Sequence, residues 1–115
     1  MKNFQCKKCG TLLRSDRTPT AIGCRAATFH QWVDLGDVGA ENYLCKKCGL
    51  HLESHRTPNV IGCTAATFHQ WVDLGHVGSR TYQCKKCGLT INGDDRTPSS
   101  IGCSSATFHQ WIKLN

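Results

Sequence analysis

The chain repeats itself every 39 residues, and each repeat carries cysteines and a histidine at the same positions. The motif Cys-Lys-Lys-Cys-Gly begins at Cys6, Cys45 and Cys84, and each copy continues through Arg-Thr-Pro and Ile-Gly-Cys to Ala-Thr-Phe-His-Gln-Trp. A fixed internal period of this length is typical of proteins built from small repeated structural units. We therefore predict three tandem units, at residues 1–35, 40–74 and 79–115.

Each repeat offers three cysteines and one histidine, spaced as Cys-x2-Cys, a gap of 14 or 15 residues, and Cys-x5-His. Two thiolates separated by two residues can hold one ion from a tight turn, and a second pair from a distant turn completes the tetrahedron that zinc prefers. Because protein fills all four positions, such a site is structural, whereas a catalytic zinc keeps one position for water. The predicted ligands are Cys6, Cys9, Cys24 and His30; Cys45, Cys48, Cys63 and His69; and Cys84, Cys87, Cys103 and His109.

Other uses of these cysteines are open at this point. The chain has nine cysteines, an odd number that argues against a framework of paired disulfides. A single Cys-x2-Cys could also be a redox pair. The full set of four occurs three times, however, and the single insertion, around Asn92–Asp94, falls in a gap where length should not matter. Iron could occupy such a site, but the imidazole ligand favours zinc, so we predict three Zn²⁺ ions per chain.

The size of one repeat indicates that metal decides whether it folds. Each unit has about 35 residues, below the ~40 at which a chain usually folds without a disulfide or a metal. The sequence predicts a small metal-stabilised β fold, with a short three-stranded antiparallel sheet in each repeat. The segments Gly-Asp-Val-Gly-Ala-Glu-Asn and Gly-His-Val-Gly-Ser-Arg-Thr are predicted linkers, and Arg-Ala-Ala-Thr, Thr-Ala-Ala-Thr and Ser-Ser-Ala-Thr are predicted helical turns.

Alternation along the strands predicts which side chains share a face. His30 and Trp32 should lie on one face of the third strand, so that the indole ring packs beside the metal. Val33 and Leu35 should point to the opposite face. If one small repeat cannot cover that face, it is available to another repeat or to a partner.

Two lysines lie inside every chelating turn, at Lys7, Lys8, Lys46, Lys47, Lys85 and Lys86. Zn²⁺ with three thiolates has a net charge of about −1, which positive charge nearby would offset while it keeps the thiols deprotonated. Alternatively, these lysines contact phosphates or an acidic surface. Arg14 and Arg25 do not recur among the copies, so we expect them to belong to a partner surface of the first repeat.

The chelating turns resemble those of the zinc-ribbon class of small metal-bound modules. The likeness is carried by the three Cys-Lys-Lys-Cys-Gly turns and by the second turns at Cys24, Cys63 and Cys103, and it covers nearly the whole chain. A typical ribbon has a second Cys-x2-Cys where this chain has Cys-x5-His. The resemblance implies a fold and a metal, but it implies function only loosely, because ribbons serve nucleic-acid binding, protein docking and scaffolding.

The chain shows no sign of catalysis, since its predicted metal sites are saturated and no nucleophile triad, paired-carboxylate motif or phosphate-binding glycine loop is present. We expect a protein-interaction or adaptor module, with nucleic-acid binding through basic surfaces of repeats 1 and 3, or zinc buffering or sensing, as alternatives. Residues 1–35, 36–74 and 75–115 carry formal charges of +4, −1 and +3. The acidic middle argues against a continuous track for phosphates, because each neutralised phosphate adds affinity.

The same sequence contains neither an apolar leader nor a run of about 18 apolar residues, which a membrane span needs. The expectation is therefore a cytoplasmic protein that does not interact with membranes, and a monomer is favoured. A reducing compartment also suits nine unpaired cysteines.

Overall fold

The computed structural model describes residues 1–103 and 106–114, and every regular element within these ranges is a β-strand. The strands are β1 (Lys2–Cys6), β2 (Leu12–Ser15), β3 (Trp32–Asp37), β4 (Glu41–Cys45), β5 (His51–Ser54), β6 (Trp71–His76), β7 (Arg80–Cys84), β8 (Thr90–Gly93) and β9 (Trp111–Lys113). They form three antiparallel sheets of order β2-β1-β3, β5-β4-β6 and β8-β7-β9. The prediction of a β fold in three tandem repeats is confirmed. The described part of the chain contains no helix with the length and apolarity that crossing a membrane requires.

The first strand of each repeat is the centre of its sheet, and it delivers the first cysteine directly into the chelating turn. In the first repeat, Phe4 lies opposite Leu13 on one side and Asp34 on the other. The turn closes through hydrogen bonds from the Gly10 amide to the Cys6 carbonyl, at 2.8 Å, and from the Cys6 amide to the Thr11 carbonyl, at 2.9 Å. Gly10 has a φ of 81°, a conformation that favours glycine because it has no Cβ.

Two local expectations are wrong. The linkers are shorter than predicted, because β3 runs to Asp37 and β4 begins at Glu41, while β6 runs to His76 and β7 begins at Arg80. Residues 25–28 and 64–67 form bends, not helical turns, since a segment of only five residues between a cysteine and the next histidine is too short to form a stable helix. The third stretch includes residues 104 and 105, which lie outside the described residues.

The apolar core lies between the repeats. Leu35 at the end of the first sheet is only 1% exposed, because it packs against Tyr43 and Leu52 of the second repeat. Leu74 is likewise 1% exposed and packs with Tyr82 and Ile91 of the third repeat. The face of Val33 and Leu35, which we expected to be available to another repeat or to a partner, is covered by the second repeat. Each repeat therefore depends on its neighbour for burial as well as on its own residues.

Polar contacts repeat at both junctions. The Asn59 amide donates to the Leu35 carbonyl at 3.0 Å, and the Ser99 amide donates to the Leu74 carbonyl at 3.1 Å. The side-chain amides of the first strands also reach across: Asn3 donates to the Glu53 carbonyl at 2.9 Å, and Asn42 donates to the Asn92 carbonyl at 2.8 Å. The same packing is thus used twice, and the molecule is an elongated stack of 41 × 27 × 21 Å.

The stack has a direction. We call the surface that a repeat presents to the next one its back face, and the surface that receives the preceding repeat its front face. The back faces comprise Gln5, Val33 and Leu35, then Leu44, Val72 and Leu74, and at the corresponding places of the third repeat Gln83, Ile112 and Leu114. The front faces comprise Leu52, Asn59 and Gly62, then Ile91, Ser99 and Gly102, and at the corresponding places of the first repeat Leu13, Thr20 and Gly23.

Candidate metal centre

The structure brings together each set of four residues that the spacing singles out. Within a set, one ligand atom from every residue lies within 4.8 Å of the others. The sets are Cys6, Cys9, Cys24 and His30; Cys45, Cys48, Cys63 and His69; and Cys84, Cys87, Cys103 and His109. The end of the central strand supplies one cysteine, the turn after it supplies the second, and the distant loop before the third strand supplies the remaining pair. Three Cys3His sites can therefore hold metal ions, and the binding of an ion by these twelve residues stays a prediction.

The distances fit a single four-coordinate ion. The Sγ atoms of Cys6 and Cys24 are 3.9 Å apart, and Cys9 Sγ is 3.6 Å from His30 Nδ1. The corresponding pairs in the other repeats have the same separations of 3.9 Å and 3.6 Å. A tetrahedron with metal–sulfur distances of about 2.3 Å and a metal–nitrogen distance of about 2.0 Å has a sulfur–sulfur edge of about 3.8 Å and a sulfur–nitrogen edge of about 3.5 Å. All nine cysteines are free thiols, and these sulfur separations are far longer than a disulfide bond of about 2.05 Å.

The first cysteine of each set lies in an environment that favours the thiolate. Burial raises the pKa of the Cys6 thiol, but hydrogen bonds outweigh this effect and bring the pKa down to about 5. The donors are the amide of Cys9, the ring of His30 and the amides of Gln31 and Lys8. Hydrogen bonds to the charged form of a group stabilise it. Cys6 is thus prepared to act as a thiolate ligand.

The lysines of the chelating turns take part through their backbone. All six side chains are exposed, and the strongest effects on the pKa of Cys6 include the Lys8 amide but no lysine ammonium group. Backbone amides of the turn thus stabilise the Cys6 thiolate, and the offset of a bound ion's charge by the lysine side chains stays a prediction. The ammonium groups remain at the surface.

An indole ring holds each histidine in place. His30 and Trp32 stack with ring centroids 4.5 Å apart, and the other two repeats have the same pair at 4.5 and 4.6 Å. Trp32 Nε1 donates to the Thr20 carbonyl at 2.9 Å, which ties the indole to the loop before the third cysteine. The prediction that these two rings share a face is confirmed. The stacking fixes the imidazole plane with Nδ1 directed toward the sulfurs.

The three sites differ in what touches the far nitrogen of the histidine. His69 Nε2 donates to Gln5 Oε1 of the preceding repeat at 2.9 Å, and both residues are buried. At the next junction Leu44 takes the place of Gln5, and the buried His109 Nε2 has no hydrogen-bond partner among the described residues. A ligating histidine normally donates its other N–H to an acceptor, which fixes its tautomer and orientation. Sequence reasoning missed Gln5, and its one signal was that this position varies among the copies.

The variant Gln5→Leu is expected to weaken metal binding at the second site by about tenfold, the lower end of the effect of removing such a partner. Leucine already occupies the equivalent position 44, so the substitution suits the fold. Chelator titration, followed through amide signals of the second repeat, measures the change. Gln83→Leu is the matched control because it makes the same change in the third repeat, away from the second metal site. Equal release midpoints in the two variants would show that Gln5 has no such role.

Comparisons with protein-family models, with curated proteins and with solved structures give no match to this chain. The function is therefore argued from the geometry of the sites and from the surface around them.

Proposed function

We propose that the protein is a non-enzymatic, zinc-ribbon-like interaction module whose three zinc ions are structural. Each set already supplies four protein ligands, which leaves no coordination position for water or a substrate. The imidazole in each set favours zinc over iron. Nine free cysteines suit a reducing compartment such as the cytoplasm.

The observation that carries the proposed binding role is an apolar pair that recurs at the surface of every repeat. The phenylalanine before each histidine ligand is exposed to 61%, 58% and 60% at Phe29, Phe68 and Phe108. The isoleucine two residues before each third cysteine is also exposed, at Ile22, Ile61 and Ile101. Single exposed apolar residues are ordinary, but the same aromatic and aliphatic pair in three equivalent places forms a repeated surface motif. Aromatic side chains of this kind are enriched at protein interfaces.

The metal site holds this apolar pair in a closed loop. The His30 amide donates to the Ala21 carbonyl at 2.7 Å, and the intervening residues include Ile22, Cys24 and Phe29. The other repeats close the same loop with hydrogen bonds of 2.7 and 2.6 Å. Because the third cysteine lies inside the loop and the histidine at its end, bound zinc would fix the loop that presents the pair. The function of the ion is then to shape a contact surface.

Three such loops on one stack make binding multivalent. A partner that offers apolar segments at matching spacing gains effective concentration from each additional contact, so overall affinity rises by about 10²- to 10⁴-fold over a single site. We propose a protein partner with an extended or repeated apolar segment.

Selection of binders from a random peptide library tests this role, with zinc-loaded protein as the target. Selected peptides are expected to lose about 100-fold or more in affinity for the triple variant Phe29→Ser, Phe68→Ser, Phe108→Ser, in line with the loss of multivalent contact. The matched control replaces three exposed residues outside the loops, Lys8→Gln, Lys47→Gln and Lys86→Gln. Zinc content should stay at three in both variants. Peptides that bind the phenylalanine variant as well as the parent would contradict the proposal.

The exposed lysine pairs support nucleic-acid binding as a second candidate function. Titration with a single-stranded oligothymidine and with a duplex at two salt concentrations distinguishes the candidates. For a nucleic-acid module, affinity falls steeply with salt and the lysine variant has a shallower dependence. Weak binding that is insensitive to the lysine changes favours the protein partner.

A further inference from the structure

The two ends of the stack carry faces that are complementary to each other and that no other repeat covers among the described residues. On the back faces, Leu35 and Leu74 are 1% exposed, whereas the equivalent Leu114 is 54% exposed. On the front faces, Leu52 is 1% exposed, whereas the equivalent Leu13 is 37% exposed. Among the described residues, no repeat packs on the front face of the first repeat or on the back face of the third.

The open front face forms a groove at the place where the interior junctions are filled. A cavity of about 420 Å³ is lined by Leu13, Pro19, Gly23 and Trp32 among others. In the second repeat this place is occupied, since a Cβ on Gly62 would lie 3.3 Å from Val33 of the preceding repeat. A Cβ on Gly102 would similarly lie 3.3 Å from Val72, whereas one on Gly23 would meet nothing within 4 Å.

We propose that a second copy of this chain docks its open back face into this groove, so that the repeat stack continues from one chain to the next. The third repeat presents Ile112, a β-branched residue like Val33 and Val72, and it is 44% exposed. Leu114 takes the place of Leu35 and Leu74. The contact of a back face with a front face, which forms two junctions within the chain, thus forms a third junction between chains.

The polar residues of the two open faces also match. Gln83 holds the place of Gln5, whose Oε1 accepts a hydrogen bond from His69 at 2.9 Å. Its counterpart on the other face is His30, which is only half-buried, whereas His69 is 4% exposed. The junction between chains therefore restores the glutamine–histidine pair, which the junction with Leu44 lacks. This junction thus has the same residue pair as the first junction, whereas the second junction does not.

The geometry predicts an open series of chains. Docking a back face on a front face is a heterologous contact, which leaves one open face at each end of every assembly. The terminal segments, residues 1–35 and 75–115, carry formal charges of +4 and +3, so the two docking ends repel each other. Salt screens this repulsion, and association through the apolar contact is expected to strengthen as salt rises.

Sedimentation equilibrium of the zinc-loaded full chain tests the proposal, from about 10 µM to about 1 mM, the effective concentration that a short linker provides at the interior junctions. The average mass of the parent is expected to rise with concentration beyond that of a dimer. Ile112→Asp blocks the back face, and Leu13→Asp blocks the front face with a charge of the same sign. Each variant alone should be monomeric, and an equal mixture should form a dimer and stop there, because only one pair of open faces remains.

Three results would overturn the proposal: a parent that stays monomeric at 1 mM, a mixture that does not associate, or single variants that associate as the parent does. Zinc content of three and an unchanged amide spectrum outside the substituted face establish that each variant is folded. If a variant loses zinc, Leu114→Asp or Pro19→Asp replaces it. Association that survives both blocks but is lost in the phenylalanine variant would show contact through the surface loops instead.

Discussion

Removal of the metal ions is expected to unfold all three sheets. Each repeat is below the ~40 residues that fold without a disulfide or a metal, and one Cys3His set lies at the end of each sheet. Structural zinc contributes about 10–16 kcal/mol in small finger peptides, and an ordinary domain has a stability of only about 5–15 kcal/mol. Native mass spectrometry should show three zinc ions per chain, and amide dispersion should be lost after chelation. A metal-free chain that keeps a dispersed spectrum would contradict this prediction.

Single ligand variants should separate the role of one site from the role of the stack. Cys45→Ser removes a ligand of the second repeat, which contributes to both junctions, and we expect it to perturb the amide signals of all three repeats. Cys84→Ser acts on the third repeat, which takes part in one junction only, so the first repeat should keep its spectrum. If both variants perturbed the amide signals of the same repeats, the repeats would not depend on their neighbours in the way that the packing indicates.

Truncation of a leucine between repeats should cost far more than truncation of its equivalent at the end of the stack. Leu35→Ala and Leu74→Ala each remove a buried side chain from a junction and should lower the free energy of unfolding by about 2–5 kcal/mol. Leu114→Ala removes the same atoms from a 54% exposed position and should cost less than about 1 kcal/mol.

Guanidinium unfolding of the zinc-loaded protein, at a fixed free zinc concentration and dilute enough to keep chains apart, measures the three leucine variants. Fixed zinc is required because a ligand that binds only the folded state adds to its apparent stability. Similar losses for all three would mean that each repeat buries its own leucine and that the junctions contribute little.

The residue sets at the metal sites and a three-stranded antiparallel sheet in each repeat could be predicted from sequence because both follow from local spacing, whereas the order of the strands needed the structure. The turn of Cys6 and Cys9 reads directly from the motif, and alternation along the third strand places Leu35 on the face away from His30. The identity of the cover for Leu35 needed the structure. Tyr43 and Leu52 are apolar residues of an adjacent repeat, and no period in the sequence specifies which surface of that repeat turns toward Leu35.

Contacts between repeats were not predicted from the sequence. Comparison of the copies interprets a position that differs among them as one without a structural role. Arg14 aligns with Glu53, and this variation suggested a position available to a partner. In the structure these two residues form an ion pair at 3.1 Å across the first junction, although 39 residues separate them. Gln5 and His69 are likewise joined over 64 residues. Positions that vary among repeats can therefore be complementary neighbours.

The direction of the stack matches the direction in which a ribosome makes the chain. The back face of the first repeat is complete once Leu35 has been added, before Leu52 and Gly62 of the receiving surface exist. Domains generally fold from the N-terminus during synthesis, so each nascent repeat emerges next to the back face of the repeat before it. At the first junction this back face presents Leu35, which the second repeat covers, and Gln5, which accepts a hydrogen bond from His69. Nascent repeats could thus bind their ions in chain order, because the back face on which each later repeat packs is synthesised before that repeat.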